Sequence, residues 1–556
     1  MKRIIILAAF FAAFIVACSR ARDFDLVIRG GDVIDGTGEP SQRMDVGIKG
    51  DRITAVGNLA GRTAGQTIDA AGKTVTPGFI DTQGQSGTTL LADGNGESHI
   101  RQGITSEIIG EGDSPAFFTK EDVDEEGLKR LGITFDWSGF NGYFHKLESQ
   151  GTSINVGTLV PATIARREVV GLDNRKASPD ELRRMEEFVE RGMRDGAFGL
   201  SSALIYPPGS FADTNELVAL AGVAARHGGF YVSHIRGESF RLEEAIHEAI
   251  QIGEQARLPV VIFHLKVAAK KNWGSMSRVG GLIRDAIARG VSVGATQYPY
   301  TAGGTGLGAV LPGWAQEGGR EQMLERLKDP GRRARMRREI ETTIDGWENL
   351  VAGAGFEGIQ IASVPPDKDQ SVLGRRISEI AAERKEDPWD TLFRLLTDNE
   401  GRVGALFHMM SEDDVRTGMG FGFVSIGTDS AAIRPEGELG RGRPHPRSYG
   451  TFPRVLGRYV REEKVLSIRE AIRRMTSLAA AQFHIPQRGI LREGYYADIV
   501  IFDPNTVIDR ATYETPHQYP LGIDYVIVNG AITVTPRGHT GAHAGRLLIP
   551  RATGRQ

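Results

Sequence analysis

Eight short apolar runs, each followed by a helical stretch, recur through the middle of this chain, and that alternation limits its fold more than any other feature. They begin near Pro77-Gly78-Phe79-Ile80-Asp81, Thr105 to Gly110, Asn155 to Val160, Ala197 to Leu204, Phe230 to Ile235, Val260 to Leu265, Val291 to Ala295 and Val424 to Gly427. Eight strands alternating with helices make a (β/α)8 barrel of the α/β class, a TIM barrel, here over residues 76–488. The segment 180–194 fits the outer ring, because Leu182, Met185 and Val189 recur at helical spacing among Glu and Arg. Residues 320–423 are too many for one crossover and hold two further strand-like runs, Ile359 to Val364 and Val403 to Phe407. They are expected to form an insertion beside the active face.

The two ends of the chain have a different texture. Residues 24–75 carry short alternating runs, Asp25 to Arg29, Asp45 to Ile48 and Arg52 to Val56, and the far end supplies Ala497 to Phe502 and Tyr525 to Gly530. Such runs between turns predict strands, so residues 18–75 and 489–556 are expected to close into one small β-sandwich. A chain of 556 residues is long enough for one large domain plus this satellite. Its 40% hydrophobic and 25% charged residues exclude a disordered chain, and 67 Lys and Arg against 70 Asp and Glu leave no basic footprint for nucleic acid. The single cysteine, Cys18, rules out an intramolecular disulfide and any multi-cysteine metal site, so a metal must be held by nitrogen and oxygen.

Lys2 and Arg3 precede an apolar run from Ile4 to Ala17. At about 14 residues it suits a signal-peptide core and falls short of the roughly 20 that a membrane span needs. The run ends in Ile15-Val16-Ala17-Cys18, similar to a bacterial lipobox, so residues 1–17 are expected to be cleaved and Cys18 acylated. Ser19 follows, as in lipoproteins sent on to the outer membrane. The mature chain is therefore expected in the cell envelope, facing the periplasm and held to the membrane by its lipid.

Candidate chemistry lies where the barrel strands end. In a strand, residues i and i+2 point the same way, so His234 with Arg236, His264 with Lys266, and Gln83 with Gln85 each put two side chains on one face. Active sites of such barrels are built on the C-terminal rim, where His234 and His264 from consecutive strands can share one metal. A lone histidine on a strand is more often a satisfied structural residue. Asp429, at the end of the last strand, can accept a proton from water, or it can equally be a helix N-cap.

With these residues in place, the sequence resembles the D-aminoacylase (N-acyl-D-amino-acid deacylase) branch of the amidohydrolase superfamily over nearly the whole mature chain. The resemblance rests on Pro77-Gly78-Phe79-Ile80-Asp81, Ile205-Tyr206-Pro207-Pro208-Gly209, Ser233-His234-Ile235-Arg236, His264-Leu265-Lys266, Tyr298-Pro299-Tyr300, His445-Pro446-Arg447 with Tyr449-Gly450-Thr451-Phe452, and Ala497 to Pro504. It implies a zinc-dependent barrel in which His234 and His264 bind the metal and Asp429 is the general acid/base. It further implies that Arg447 takes the substrate carboxylate, with Lys266 and one of Tyr298 or Tyr300 near the scissile bond. The substrate so implied is a small N-acyl amino acid or peptide.

Two departures from that pattern matter. Where most amidohydrolases carry His-x-His after the first strand, this chain has Gln83-Gly84-Gln85, whose neutral amides are weak ligands. Where the family often has a bridging cysteine after its second strand, this chain has Gly110-Glu111-Gly112-Asp113-Ser114. Glu111, with Asp113 as the fallback, can replace the thiolate to give a His2Glu site of the kind zinc enzymes use. One tightly bound zinc is the expectation. Two other readings stay open on the residues alone: an amidohydrolase acting on another peptide, cyclic amide or carbonyl compound, and a ligand-binding lipoprotein without catalysis, to which the glutamine pair points.

Overall fold

A computed structural model describes residues 22–118, 124–342 and 347–550. The leader and Cys18, on which the expectation of acylation rests, lie outside the described residues. No helix among the described residues is long and apolar enough to cross a membrane.

The barrel strands are Phe79–Asp81, Ile104–Ile109, Asn155–Thr158 continued by Val160–Pro161, Leu200–Ala203, Tyr231–His234, Val260–Ile262, Val293–Gln297 and Val424–Ile426. Each pairs in parallel with the next. The ring closes where the last strand meets the first. There the Asp429 N–H donates to the Gln83 carbonyl at 2.9 Å and the Gln85 N–H to the Ser430 carbonyl at 2.8 Å. This seam brings Gln83, Gln85 and Asp429 together on the C-terminal rim.

The outer helices follow from local signals. Pro179–Asp195 opens on a Ser178–Glu181 capping box with Pro at its first position and stops at Gly196, whose φ of 117° continues no helix. It buries Met185, Val189 and Met193, each contributing roughly 1.5–3 kcal/mol, while Leu182 is only partly covered.

The sandwich expected of the two ends takes the form of one nine-stranded sheet. Thr74–Pro77 joins them, pairing in parallel with Phe24–Val33 on one edge and antiparallel with Ile499–Phe502 on the other. Alternation along Ile499–Phe502 then splits two cores. Ile499 and Ile501 pack with Leu26, Ile28 and Val46, while Val500 and Phe502 pack with the barrel residues Phe79 and Ile104.

The insertion is built on a three-stranded antiparallel sheet of Ala302–Gly306, Gly404–His408 and Ile359–Ser363. It has a core of its own, including Leu307, Met336, Ile359, Leu392 and Phe407. Its first strand follows the seventh barrel strand directly, upstream of residue 320, where the sequence places the start. Glu412–Met419, inside the expected 320–423, instead packs on the barrel helix Met276–Ala288.

Candidate metal centre and active site

Four strand ends aim side chains at one point. His234 ends the fifth barrel strand. His264 follows the sixth and Asp429 the eighth, with φ of 37° and 51°. Both lie in the left-handed region that non-glycine residues seldom occupy outside functional or strained sites, and there the chain turns off its strand. Glu111 follows Gly110, whose φ is 104° and where an added Cβ would stand 3.0 Å from the Leu159 carbonyl oxygen. Only glycine makes that bend, and the bend delivers Glu111 to the histidines.

The atoms converge closely. Glu111 Oε1 lies 3.1 Å from His234 Nδ1 and 3.0 Å from His264 Nε2, and the two nitrogens are 2.8 Å apart. All three residues are buried. Glu111 Oε2 accepts from the amides of Gln83 at 3.0 Å and Gln85 at 2.8 Å. His264 Nδ1 lies 2.9 Å from Glu238 Oε1, which also takes Lys266 Nζ at 2.5 Å. Lys266 Nζ also lies 2.6 Å from His264 Nδ1, so Glu238 and Lys266 together fix that edge of the ring and leave Nε2 turned to the centre, in the way that neighbouring groups orient a metal-binding histidine. His234 Nε2 has no hydrogen-bond partner; its nearest charged neighbour is Glu238 Oε2 at 3.9 Å.

Charge in the pocket favours a cation at this point. Burial pushes Glu111 up, but His264 and His234 outweigh it and hold the carboxyl well below its usual range. Burial and Lys266 oppose protonation of His264, yet Glu238, Glu111 and Asp429 together push it up to about 9. Burial raises Asp429, against the pull of Arg447. One carboxylate oxygen and two imidazole nitrogens, all close together and facing surplus negative charge, form the donor set that zinc takes. The residues present fit that ion.

Around the centre is a cavity of about 390 Å³ lined by Lys266, Tyr298, Asp429, Arg447 and Tyr206, with Gly303, Gly304, Thr305, Phe407 and Met409 of the insertion across from them. Arg447 Nη1 is 2.7 Å from Asp429 Oδ2, and its guanidinium carbon stands 4.7 Å from the Tyr298 ring centroid. Tyr300 is not among the lining residues. Its hydroxyl faces the Pro446 carbonyl at 3.4 Å, and its ring belongs to the core of the insertion. Asp113 reaches the cavity but is held toward Arg167 at 3.7 Å, and Glu111 is the acid that meets both imidazoles. Arg236 turns away from His234 into a neighbouring cavity of about 450 Å³, where it pairs with Glu248 at 2.8 Å. That cavity shares only Ile205 with the first. Glu238 and Thr296 are functional-looking residues that the sequence does not single out. The alternation His234, Arg236, Glu238 contains the signal for Glu238, but Arg236 breaks the pattern.

Residues 66–534 match the model of the Amidohydrolase family. The chain belongs to the amidohydrolase family. Within the family it is 34% identical to the D-aminoacylase of Alcaligenes xylosoxydans xylosoxydans over 96% of this chain and 99% of that one. A crystal structure of N-acyl-D-glutamate deacylase from Bordetella bronchiseptica, complexed with zinc and a phosphonate mimic of the tetrahedral intermediate, is 31% identical with a TM-score of 0.79, covering 95% of this chain and 99% of that one. A D-aminoacylase structure with TM-score 0.78 and 34% identity, covering 95% and 100%, belongs to an enzyme described as having a binuclear metal centre with one-metal activation and second-metal attenuation. This amidohydrolase shares their architecture while carrying Gln83, Gln85 and Glu111 at its own centre.

Proposed function

We propose that the chain is a zinc-dependent hydrolase of the amide bond in N-acyl-D-amino acids, releasing a carboxylic acid and a free amino acid. The observation that carries this is the convergence of Glu111, His234 and His264 beside Asp429 and Arg447 in one cavity. Glu111, His234 and His264 would hold a zinc ion, which would supply Lewis acidity for the scissile carbonyl and for the attacking water. Asp429 takes the proton of that water and passes it to the departing amine. Tyr298, whose buried hydroxyl has no partner, donates to the oxyanion as it forms. Arg447 touches Asp429 through Nη1, and the rest of its planar fork receives the substrate carboxylate. Lys266 lies beside the scissile bond, fixed by Glu238. Glu111, His234 and His264 supply the three protein ligands that a catalytic zinc site needs, so one ion would suffice.

The test is a screen of paired N-acetyl-D- and N-acetyl-L-amino acids before and after metal removal. The expected result is hydrolysis of D compounds, lost on chelation and restored by zinc. Full activity in the metal-stripped protein, or none with zinc on any pair, overturns the reading. Location follows from the leader: Cys18 is the acylated anchor of an outer-membrane lipoprotein, and Cys18→Ala is expected to move the protein from the detergent to the aqueous phase. An alanine form that stays with membranes places the anchor elsewhere.

A further inference from the structure

The two glutamines that replace the usual histidines are not idle. Gln83 Oε1 lies 2.6 Å from the Thr296 hydroxyl and 3.2 Å from the His264 N–H, and the Thr296 hydroxyl itself accepts from that N–H at 2.6 Å. Thr296 therefore spends its single proton on Gln83, which fixes the amide. Oxygen faces Thr296, and Nε2 faces Glu111 Oε2 at 3.0 Å. At Gln85 the same carboxylate oxygen lies 2.8 Å away, and only the amide N–H can face it without repulsion.

We propose that Gln83 and Gln85 are positioning residues that hold Glu111 as a one-oxygen ligand and close the space beside it to a second cation. This rests on the metal-centre reading above. A carboxylate that joins two cations uses both oxygens, and here Oε2 is taken by two N–H donors while Oε1 alone faces the imidazoles. What borders the space next to Oε2 is the positive end of two amide dipoles. A cation entering there meets no lone pair, and recruiting the Gln83 oxygen means breaking its bonds to Thr296 and His264. The glutamines thus replace a second metal with hydrogen bonds, keeping the carboxylate aimed without adding charge.

The test uses the full chain and reads zinc per protein and zinc affinity by chelator competition, without substrate. Wild type is expected to bind one ion, with no second event in large excess. Gln85→Leu, a change at an exposed position, is expected to keep that count and lose about 10–100-fold in affinity, the usual scale for groups that orient a metal ligand. Gln85→Glu, which replaces a donor with an anion, is expected to admit a second ion. Thr296→Val releases the Gln83 amide and takes one acceptor from the His264 N–H, and is expected to weaken zinc with a modest loss of thermal stability, both rescued by Thr296→Ser. Wild-type affinity in both Gln85→Leu and Thr296→Val overturns the clamp while leaving the metal centre standing. Two ions in wild type, one of them lost in Gln85→Leu, overturns it by making the glutamines ligands. No zinc in any form removes the centre itself.

Discussion

Among the described residues, two clusters of carboxylates with histidine are buried one above the other at the same edge of the barrel, and they differ in kind. The lower one joins Asp81, His99 and Glu107, all with side chains 0% exposed, with His99 Nδ1 3.1 Å from Glu107 and 3.9 Å from Asp81. Its acids are occupied. Asp81 accepts from the Thr428 N–H, the Thr428 hydroxyl and the Gln83 N–H, and Glu107 from the Ser86 N–H. Burial pushes Asp81 up to about 6, with His99 opposing and Glu107 reinforcing. The upper cluster has two imidazoles meeting one carboxylate oxygen beside a cavity of about 390 Å³. Each cluster has a histidine Nε2 without a partner, so an orphaned nitrogen does not tell them apart. Convergent lone pairs with open space beside them do. The lower cluster is the floor of the upper, since Asp81 holds the backbone of Gln83 and of Thr428, one residue before Asp429.

A pair of substitutions can break this comparison. His264→Ala is expected to lose bound zinc and all measurable turnover, with some loss of thermal stability because Glu111 and Glu238 each lose an imidazole partner. His99→Ala is expected to lose about 3–5 kcal/mol of stability, the scale for leaving buried charges unpaired, while the folded fraction keeps its zinc. Metal content and thermal unfolding on both variants decide it. A stable His99→Ala protein without metal would make the two clusters one functional unit.

The barrel is legible in the sequence because each of its strands is short, apolar and ends at a turn, and the rim residues His234, His264 and Asp429 end such runs. What escapes notice is whatever depends on packing between distant segments. Ala302–Gly306 is three glycines, an alanine and a threonine, with no β-forming pattern of its own, and becomes a strand only by pairing with Gly404–His408. Arg236 and Lys266 occupy equivalent places two residues beyond a histidine, yet only Lys266 stays at the centre. Arg236 is drawn off by Glu248 and by the carbonyls of Ser210 and Ala212. Alternation fails there because the chain has already left its strand. The donor role of Gln83 is equally hidden, since Thr296, which orients it, comes from a strand more than two hundred residues away.

A finer test sets Asp429, half-buried, against Asp81, fully buried, two acids that desolvation pushes up from the usual carboxylate value. Asp81 is bound by donors on every side, so its charge serves the seam between the first and last strands. Asp429 has one charged contact, Arg447, and otherwise faces the cavity. Asparagine keeps the shape of either residue but accepts no proton from water. Asp429→Asn is therefore expected to retain fold and zinc and lose at least about 10²-fold in kcat, the usual scale of general acid–base catalysis. Asp81→Asn is expected to lower stability and leave kcat per folded molecule within a few fold. Steady-state rates normalised to zinc content separate the two. Near-normal turnover in Asp429→Asn would take that residue out of the proton transfer, and an equal loss in both variants would mean that seam geometry, rather than the proton, sets the rate.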